Sequence, residues 1–485
     1  MDKIEIPLPR GVFAQPWSFR KLLGLLAVFG PAAIVASVSI GAGETIVVVR
    51  AGAWAGYGLL WLVLLSSVVK GVFVTYLLGR YSAISGEPIG QRLALLPGPR
   101  GWLLLTLAFL EIAVAPMAWV AIAKPCGDLC HFVLRDALPG VLSEPAWENL
   151  FSSGFIGLAL GLSLRLSFAS LEKQQVALCL ILVGGTAAGT LMVWPDYAQA
   201  LADSFNFGHL PEFPPWAPQD AVEHPLLTMA TTFGYVGGGV MGYLVYSSWI
   251  SMHGWGLNSH EQIGAIRQRA ASSARIDYLP DSPEEVGRLR QLLAPLRWDV
   301  GMGAVVLFAV TAAFMMSGAA VLYPQQSRFE GWSLLTEQAH IWAAIHPALV
   351  WIYYLCVIAA LWGTLQALPE IYTRVTQGFL QAIWPAATWE YRAIQRLLCV
   401  YLFVFCLVFI WSDIPFDTLV QIASFILANL AIALAMIAAL YLNFKLPPAY
   451  RTRLPMLIGG VLSAGVLCFF AVVSGWGLAV KLLGD

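Results

Sequence analysis

Charge is what this chain has least of. Only 11% of its 485 residues are Asp, Glu, Lys or Arg, less than half of the roughly 25% usual in a soluble domain. That scarcity leaves little material for a separate soluble domain. The formal net charge is −1, so no basic excess is available for nucleic acid. Cysteine is sparse, with seven residues scattered along the chain. Cys179, Cys356, Cys399, Cys406 and Cys468 fall inside apolar runs, where a thiol serves as a small apolar filler. Cys126 and Cys130 sit four apart near the end of a run and are compatible with a disulfide in an oxidising compartment. No Cys/His spacing suits zinc. No Ser/His, Cys/His or paired-carboxylate arrangement points to catalysis, so the sequence is not read as an enzyme and calls for no cofactor. The stretch 1–15 is polar and contains proline, without the pattern of a cleavable signal peptide.

What fills the chain is apolar: 59% hydrophobic residues and a mean hydropathy of +0.74. Eleven segments have the length of a helical membrane crossing. They lie near 22–49, 55–79, 101–123, 152–168, 175–194, 226–252, 299–323, 342–366, 394–412, 417–443 and 454–481. The expected fold is therefore an all-α polytopic membrane protein, 1–485 forming one transmembrane domain. With the N-terminus inside, 21 of the 27 Lys and Arg residues fall on the cytoplasmic side and five outside, Lys70 lying within a span. That bias predicts a cytoplasmic N-terminus and an external C-terminus. The expected location is a plasma membrane, a bacterial inner membrane in particular. The stretch 198–223 lacks Lys and Arg and carries four prolines, as an ordered external loop would. In the basic loop 258–297, Ser282 followed by Glu284 and Glu285 reads as a helix start.

Two of the eleven segments are interrupted by glycine. The first, 30–50, contains Ser39-Ile40-Gly41-Ala42-Gly43-Glu44, and the second, 228–249, contains Gly237-Gly238-Gly239-Val240-Met241-Gly242. Glycine there frees backbone carbonyls, which inside a bilayer must face protein or line a cavity. Segments one to five (22–194) and six to ten (226–443) each open with an interrupted helix. An odd number of helices per half sets the halves in opposite orientation. The pattern predicts a 5+5 inverted repeat with its site between the first helices of the halves, plus a peripheral eleventh helix at 454–481. Gly43, Gly237, Gly239 and Gly242 are the expected hinges.

Few polar side chains lie at mid-span depth, where a charge costs at least about 2.5–3.5 kcal/mol. Glu44 is either an ion ligand, joined by carbonyls at Gly41 and Gly238, or a structural carboxylate paired with Lys70 or Arg50. Lys70 pairs with Glu44 or Glu111, or lies against backbone carbonyls with its stem along apolar neighbours. Met241 offers a soft thioether that suits transition metals over Mg²⁺, or simply packs. Tyr243 gives a phenolic oxygen or fills space. Asn429 is a ligand or an inter-helix hydrogen bond, with Ser39 and Gln366 weaker instances. Glu111 and Glu370 are candidates for a polar path. His253 and His260 read as interfacial residues before they read as a proton relay.

Several motifs occur in a telling order: Gly30-Pro31, Ala51-Gly52-Ala53, the run Gly56-Tyr57-Gly58-Leu59-Leu60-Trp61, then Arg80-Tyr81-Ser82-Ala83-Ile84-Ser85-Gly86. Val240-Met241, Gly363-Thr364 and Leu446-Pro447-Pro448 follow. Together they resemble the Nramp family of divalent-metal transporters, whose fold is of the LeuT type. The resemblance is densest over 30–100. It implies a first-span motif Asp-Pro-Gly-Asn, which here falls on Gly41, Ala42, Gly43 and Glu44. The metal-binding Asp is thus Gly41 and the Asn is Glu44. The sixth-span Met-Pro-His falls on Met241, Gly242 and Tyr243, so the histidine associated with proton movement is absent. The third-span carboxylates fall near Ala113 and Pro116, with Glu111 close by and out of register. Asn429 lies within about a residue of the family's polar tenth-span ligand. The resemblance implies alternating-access transport of a Mn²⁺- or Mg²⁺-like ion at Glu44, Met241 and Asn429, without the family's usual proton coupling. The alternative is a transporter of the same fold carrying a small organic solute, such as a carboxylate or amino acid, bound at the half-helix ends. Its partners are then the small substrate and membrane lipids, and a monomer suffices.

Overall fold

A computed structural model describes residues 3–8, 11–15, 18–26, 43–165, 168–272, 276–328, 331, 334–343, 345–412 and 414–483. Among these residues every regular element is helical. A π-helical turn, Gly43–Val48, runs into α1 (Val49–Ala55). There follow α2 (Leu60–Ser85), α3 (Trp102–Leu134), α4 (Glu144–Ser163), α5 (Phe168–Val193), α6 (Pro225–Tyr235) and α7 (Val240–Met252). Further along, besides shorter helices, come α8 (Ala294–Ser317), α9 (Leu349–Ile383), α10 (Tyr391–Ile410), α11 (Phe416–Lys445) and α12 (Leu454–Leu483). Seven helices among the described residues are long and apolar enough to cross a membrane: α2, α3 and α8 to α12. Pro116 and Pro125 lie inside α3, which neighbouring helices make tolerable in an apolar setting.

The fourth segment is displaced from its expected position of 152–168. Its helix begins at Glu144, after an extended Ser143 with Pro145 in the first turn, and stops at Ser163. The polar opening Glu144, Glu148 and Asn149 hides the helix start from a hydropathy reading, while proline fits a first turn well. The eighth segment likewise runs to Ile383 rather than 366. Ser282 caps the helix Pro283–Leu292 by accepting from the Glu285 amide at 3.3 Å. Cys126 and Cys130 are free thiols on one helix.

The packing brings the two glycine-interrupted segments together. α6 and α7 are consecutive pieces of the sixth segment, separated by 236–239. Gly237 and Gly238 there have φ of +97° and +73°, a region that side-chain-bearing residues rarely enter. Gly43 abuts the end of α6 so closely that a Cβ on it would lie 2.6 Å from the Tyr235 carbonyl oxygen. α6 also packs on α12, and α7 on Thr75–Ser85 of α2. α1 crosses the continuation of α8, Gly318–Leu322, with Gly52 and Gly318 against backbone carbonyls, the close approach that small residues permit between apolar helices.

Candidate functional site between the broken helices

Where α6 stops and α7 begins, a cavity of about 120 Å³ opens among α3, α7, α9 and α11. That is well above the roughly 10–15 Å³ a single water needs. Glu111, Tyr235, Gly238, Gly239, Met241 and Trp249 are among the residues that line it, with Gly43 from the first segment. Glu111 projects from α3 and is 2% exposed. One carboxylate oxygen, Oε1, accepts from the Tyr372 hydroxyl of α9 at 2.8 Å. The other, Oε2, is buried without a hydrogen-bond partner, as is the Tyr235 hydroxyl. Two such atoms on residues that line one cavity are costly unless something inside satisfies them. Gly239 explains the closeness: a Cβ there would stand 3.2 Å from Glu111 Oε1.

The expected site residues separate into two groups. Met241, Gly238, Gly239, Gly242, Gly43 and Glu111 share the cavity. Met241 is buried in the first turn of α7. Lys70, Tyr243, Gly237 and Asn429 are not among its lining residues. Tyr243 donates its hydroxyl to the Gly237 carbonyl. Lys70 reaches the α6 carbonyls of Phe233 at 2.9 Å, Gly234 at 2.7 Å and Val236 at 3.2 Å. Asn429 donates to the Ala230 carbonyl at 3.2 Å and to Ser474 Oγ at 3.3 Å, joining α6, α11 and α12. Gly41 and Ser39 lie outside the described residues, as does the Glu44 side chain, although Glu44 itself is in the turn Gly43–Val48. Glu370 pairs with Arg374, while His253 and His260 contact the backbone oxygens of Trp249 and Glu5. Among the described residues no three His, Cys, Asp or Glu side chains converge. A cation in the cavity would therefore draw on a carboxylate, a thioether and backbone carbonyls.

Tyr235 and Tyr372 escaped the sequence reading. Tyr235 directly precedes the glycine cluster, which was a usable signal. Tyr372 meets Glu111 across 261 positions and carried none. A second polar cluster also went unread. Glu87 is buried and receives Arg92 (2.9 and 2.5 Å), Tyr81 (2.7 Å) and Tyr278 (3.0 Å).

A family model described as natural resistance-associated macrophage protein-like matches residues 32–477. The chain belongs to the Nramp family. Members of that family are membrane transporters, not enzymes. Solved structures agree on the fold. A point mutant of the Eremococcus coleocola manganese transporter is 16% identical, with 100% of this chain and 91% of that chain covered and a TM-score of 0.65. The same transporter in complex with an aromatic bis-isothiourea substituted compound gives 16%, 97%, 90% and 0.64. Mhp1, a nucleobase-cation-symport-1 family transporter in a closed conformation with bromovinylhydantoin bound, is 14% identical over 94% and 93% at a TM-score of 0.53. Comparison with curated protein sequences gives no significant match.

Proposed function

We propose that this Nramp protein moves a divalent metal ion, Mn²⁺- or Mg²⁺-like, across a membrane by alternating access, at a metal site altered from the family's. One observation carries the reading: Glu111, one of whose carboxylate oxygens is buried without a hydrogen-bond partner, lines the same cavity as Met241, at the break between α6 and α7. A hard oxygen and a soft thioether on one wall suit a transition metal, while oxygen ligands and room for retained water suit Mg²⁺. The manganese transporter among the structural neighbours supports the same class of cargo. Glu44 and the carbonyls of Gly41 and Gly238 complete the proposed site, with Asn429 of α11 bracing α6 and α12 beside it.

The proposed frame is eleven helices in a 5+5 inverted repeat with α12 peripheral, the N-terminus cytoplasmic and the C-terminus outside. Gly43, Gly237, Gly239 and Gly242 serve as hinges. The family's proton route is absent from this mechanism, since Tyr243 stands in the histidine position and spends its hydroxyl on the Gly237 carbonyl.

The test is uptake of Mn²⁺ and Mg²⁺ into proteoliposomes with metal reporters inside, for wild type, Glu44→Gln and Glu111→Gln. Metal entry abolished by either variant supports the reading. Entry of neither ion into tight vesicles overturns it in favour of a small organic solute. The ring-bearing wall of Trp119, Trp249, Tyr235 and Tyr372 would accommodate such a solute.

A further inference from the structure

α6 ends at Tyr235, and 236–239 separate it from α7. The last carbonyls of a helix have no intrahelical donor, and they form the negative end of its dipole. Here that end is buried. Three of the oxygens, from Phe233, Gly234 and Val236, surround the Lys70 ammonium at 2.7–3.2 Å. Lys70 is 0% exposed. An ammonium has three donors and no acceptor, so three carbonyls match it. Ser66 Oγ, one turn earlier on α2, lies 3.0 Å from the Phe233 oxygen and 2.8 Å from that of Val236. The Phe233 ring sits 4.8 Å from the ammonium. A cluster of carbonyl and hydroxyl oxygens is the donor set of a small hard cation.

The break divides its oxygens between two sides. Those of Phe233, Gly234 and Val236 reach Lys70 of α2, whereas the Tyr235 oxygen faces Gly43; Gly234 and Gly238 both line the cavity. Lys70 is not among the cavity's lining residues, and the three carbonyl oxygens it holds set its charge at the helix end. We propose that Lys70 is a tethered cation: it fills, permanently, a carbonyl site at the broken helix that a free monovalent ion would otherwise occupy. A bound ion can enter and leave with each cycle, but a lysine cannot. The protein then needs neither Na⁺ nor K⁺, and each cycle moves only the charge of the cargo.

The transport part of this inference rests on the proposed function, so the experiment has an arm that does not. In the first arm, thermal midpoints of purified full-length wild type and Lys70→Ser are measured in choline, sodium and potassium chloride. Wild type should melt alike in all three. Lys70→Ser should melt lower in choline and recover saturably with Na⁺ or K⁺ as the ion enters the vacated carbonyls. A Lys70→Ser midpoint indifferent to salt, or a wild type stabilised by Na⁺ or K⁺, overturns the proposal. In the second arm, wild-type metal uptake is measured with choline as the only monovalent cation. Full activity supports the proposal, and a fall of about fivefold or more overturns it. Should Lys70→Ser not be recovered folded, the wild-type results in both arms decide. Absence of metal uptake in every salt counts against metal transport alone and leaves the first arm to judge Lys70.

Discussion

Glu111 and Tyr372 meet at 2.8 Å across the wall of the cavity, the tyrosine donating to one carboxylate oxygen and leaving the other without a partner. Tyrosine thus orients the carboxylate without using up its capacity to accept. Glu111→Gln keeps the shape and the acceptor for Tyr372 but removes the ionisable oxygen. Metal uptake should fall to background, while the thermal midpoint stays close to the wild-type value, because a satisfied buried acceptor is retained. Tyr372→Phe should keep transport but weaken apparent affinity by roughly 10–100-fold, the usual effect of removing a group that orients a ligand. Equal loss of stability and uptake in Glu111→Gln would mark it as a structural carboxylate.

Met241 separates selectivity from packing. Met241→Leu conserves volume and is well tolerated in a packed interior, but it removes the sulfur. Competition uptake should then show Mn²⁺ losing ground to Mg²⁺ by about tenfold, equivalent to some 1.4 kcal/mol. An unchanged Mn²⁺ to Mg²⁺ ratio would assign Met241 to packing.

The break between α6 and α7 was legible because positive φ at two adjacent residues demands glycine, and Gly237 and Gly238 supply it. Most spans were legible because hydropathy over a crossing length leaves few options. The direction in which a polar side chain points was not. Ala428 lines the cavity, yet Asn429, the next residue, turns toward α6 and α12. One residue rotates a helical side chain by about 100°, and α11 contains a π-helical turn over Ser424–Leu430 that shifts the register further. Lys70 posed the same difficulty. Three backbone oxygens that it reaches lie more than 160 positions away, and nothing in its own neighbourhood announces them.

Arg50 of α1 pairs with Asp417 of α11 on the side proposed to be external, and its guanidinium stacks 4.6 Å from the Trp54 ring and 5.2 Å from that of Phe416. Alongside, Lys481 holds Asp220 at 2.7 Å. The first pair ties the first segment to α11 at that end, and the second ties α12 to the stretch before α6. Asp417→Asn should therefore favour opening there. In a Met241→Cys background, modification by a membrane-impermeant thiol reagent added outside should accelerate by about fivefold or more, the effect of roughly 1 kcal/mol on an opening equilibrium. No acceleration would show that closure at this end does not depend on the pair.

Glu87 and Arg92 form a buried pair just beyond α2, with Glu87 0% and Arg92 6% exposed. Burial alone would lower the arginine pKa, but Tyr81 and Glu87 outweigh it and the net shift is upward, so the guanidinium stays charged. Removing only the acid strands that charge in a buried place, which typically costs about 3–5 kcal/mol. Glu87→Gln should accordingly lower the thermal midpoint strongly. Tyr278→Phe, which removes one neutral donor to Glu87 and the Ser85 carbonyl, should cost nearer 1 kcal/mol. The decisive comparison is the double variant Glu87→Gln with Arg92→Met. If the damage in Glu87→Gln comes from a stranded cation, removing the cation should restore part of the lost midpoint. If the double variant is as unstable as the sum of the single ones, the cluster acts through packing, and its charges are incidental to holding α2 against the Tyr278 segment.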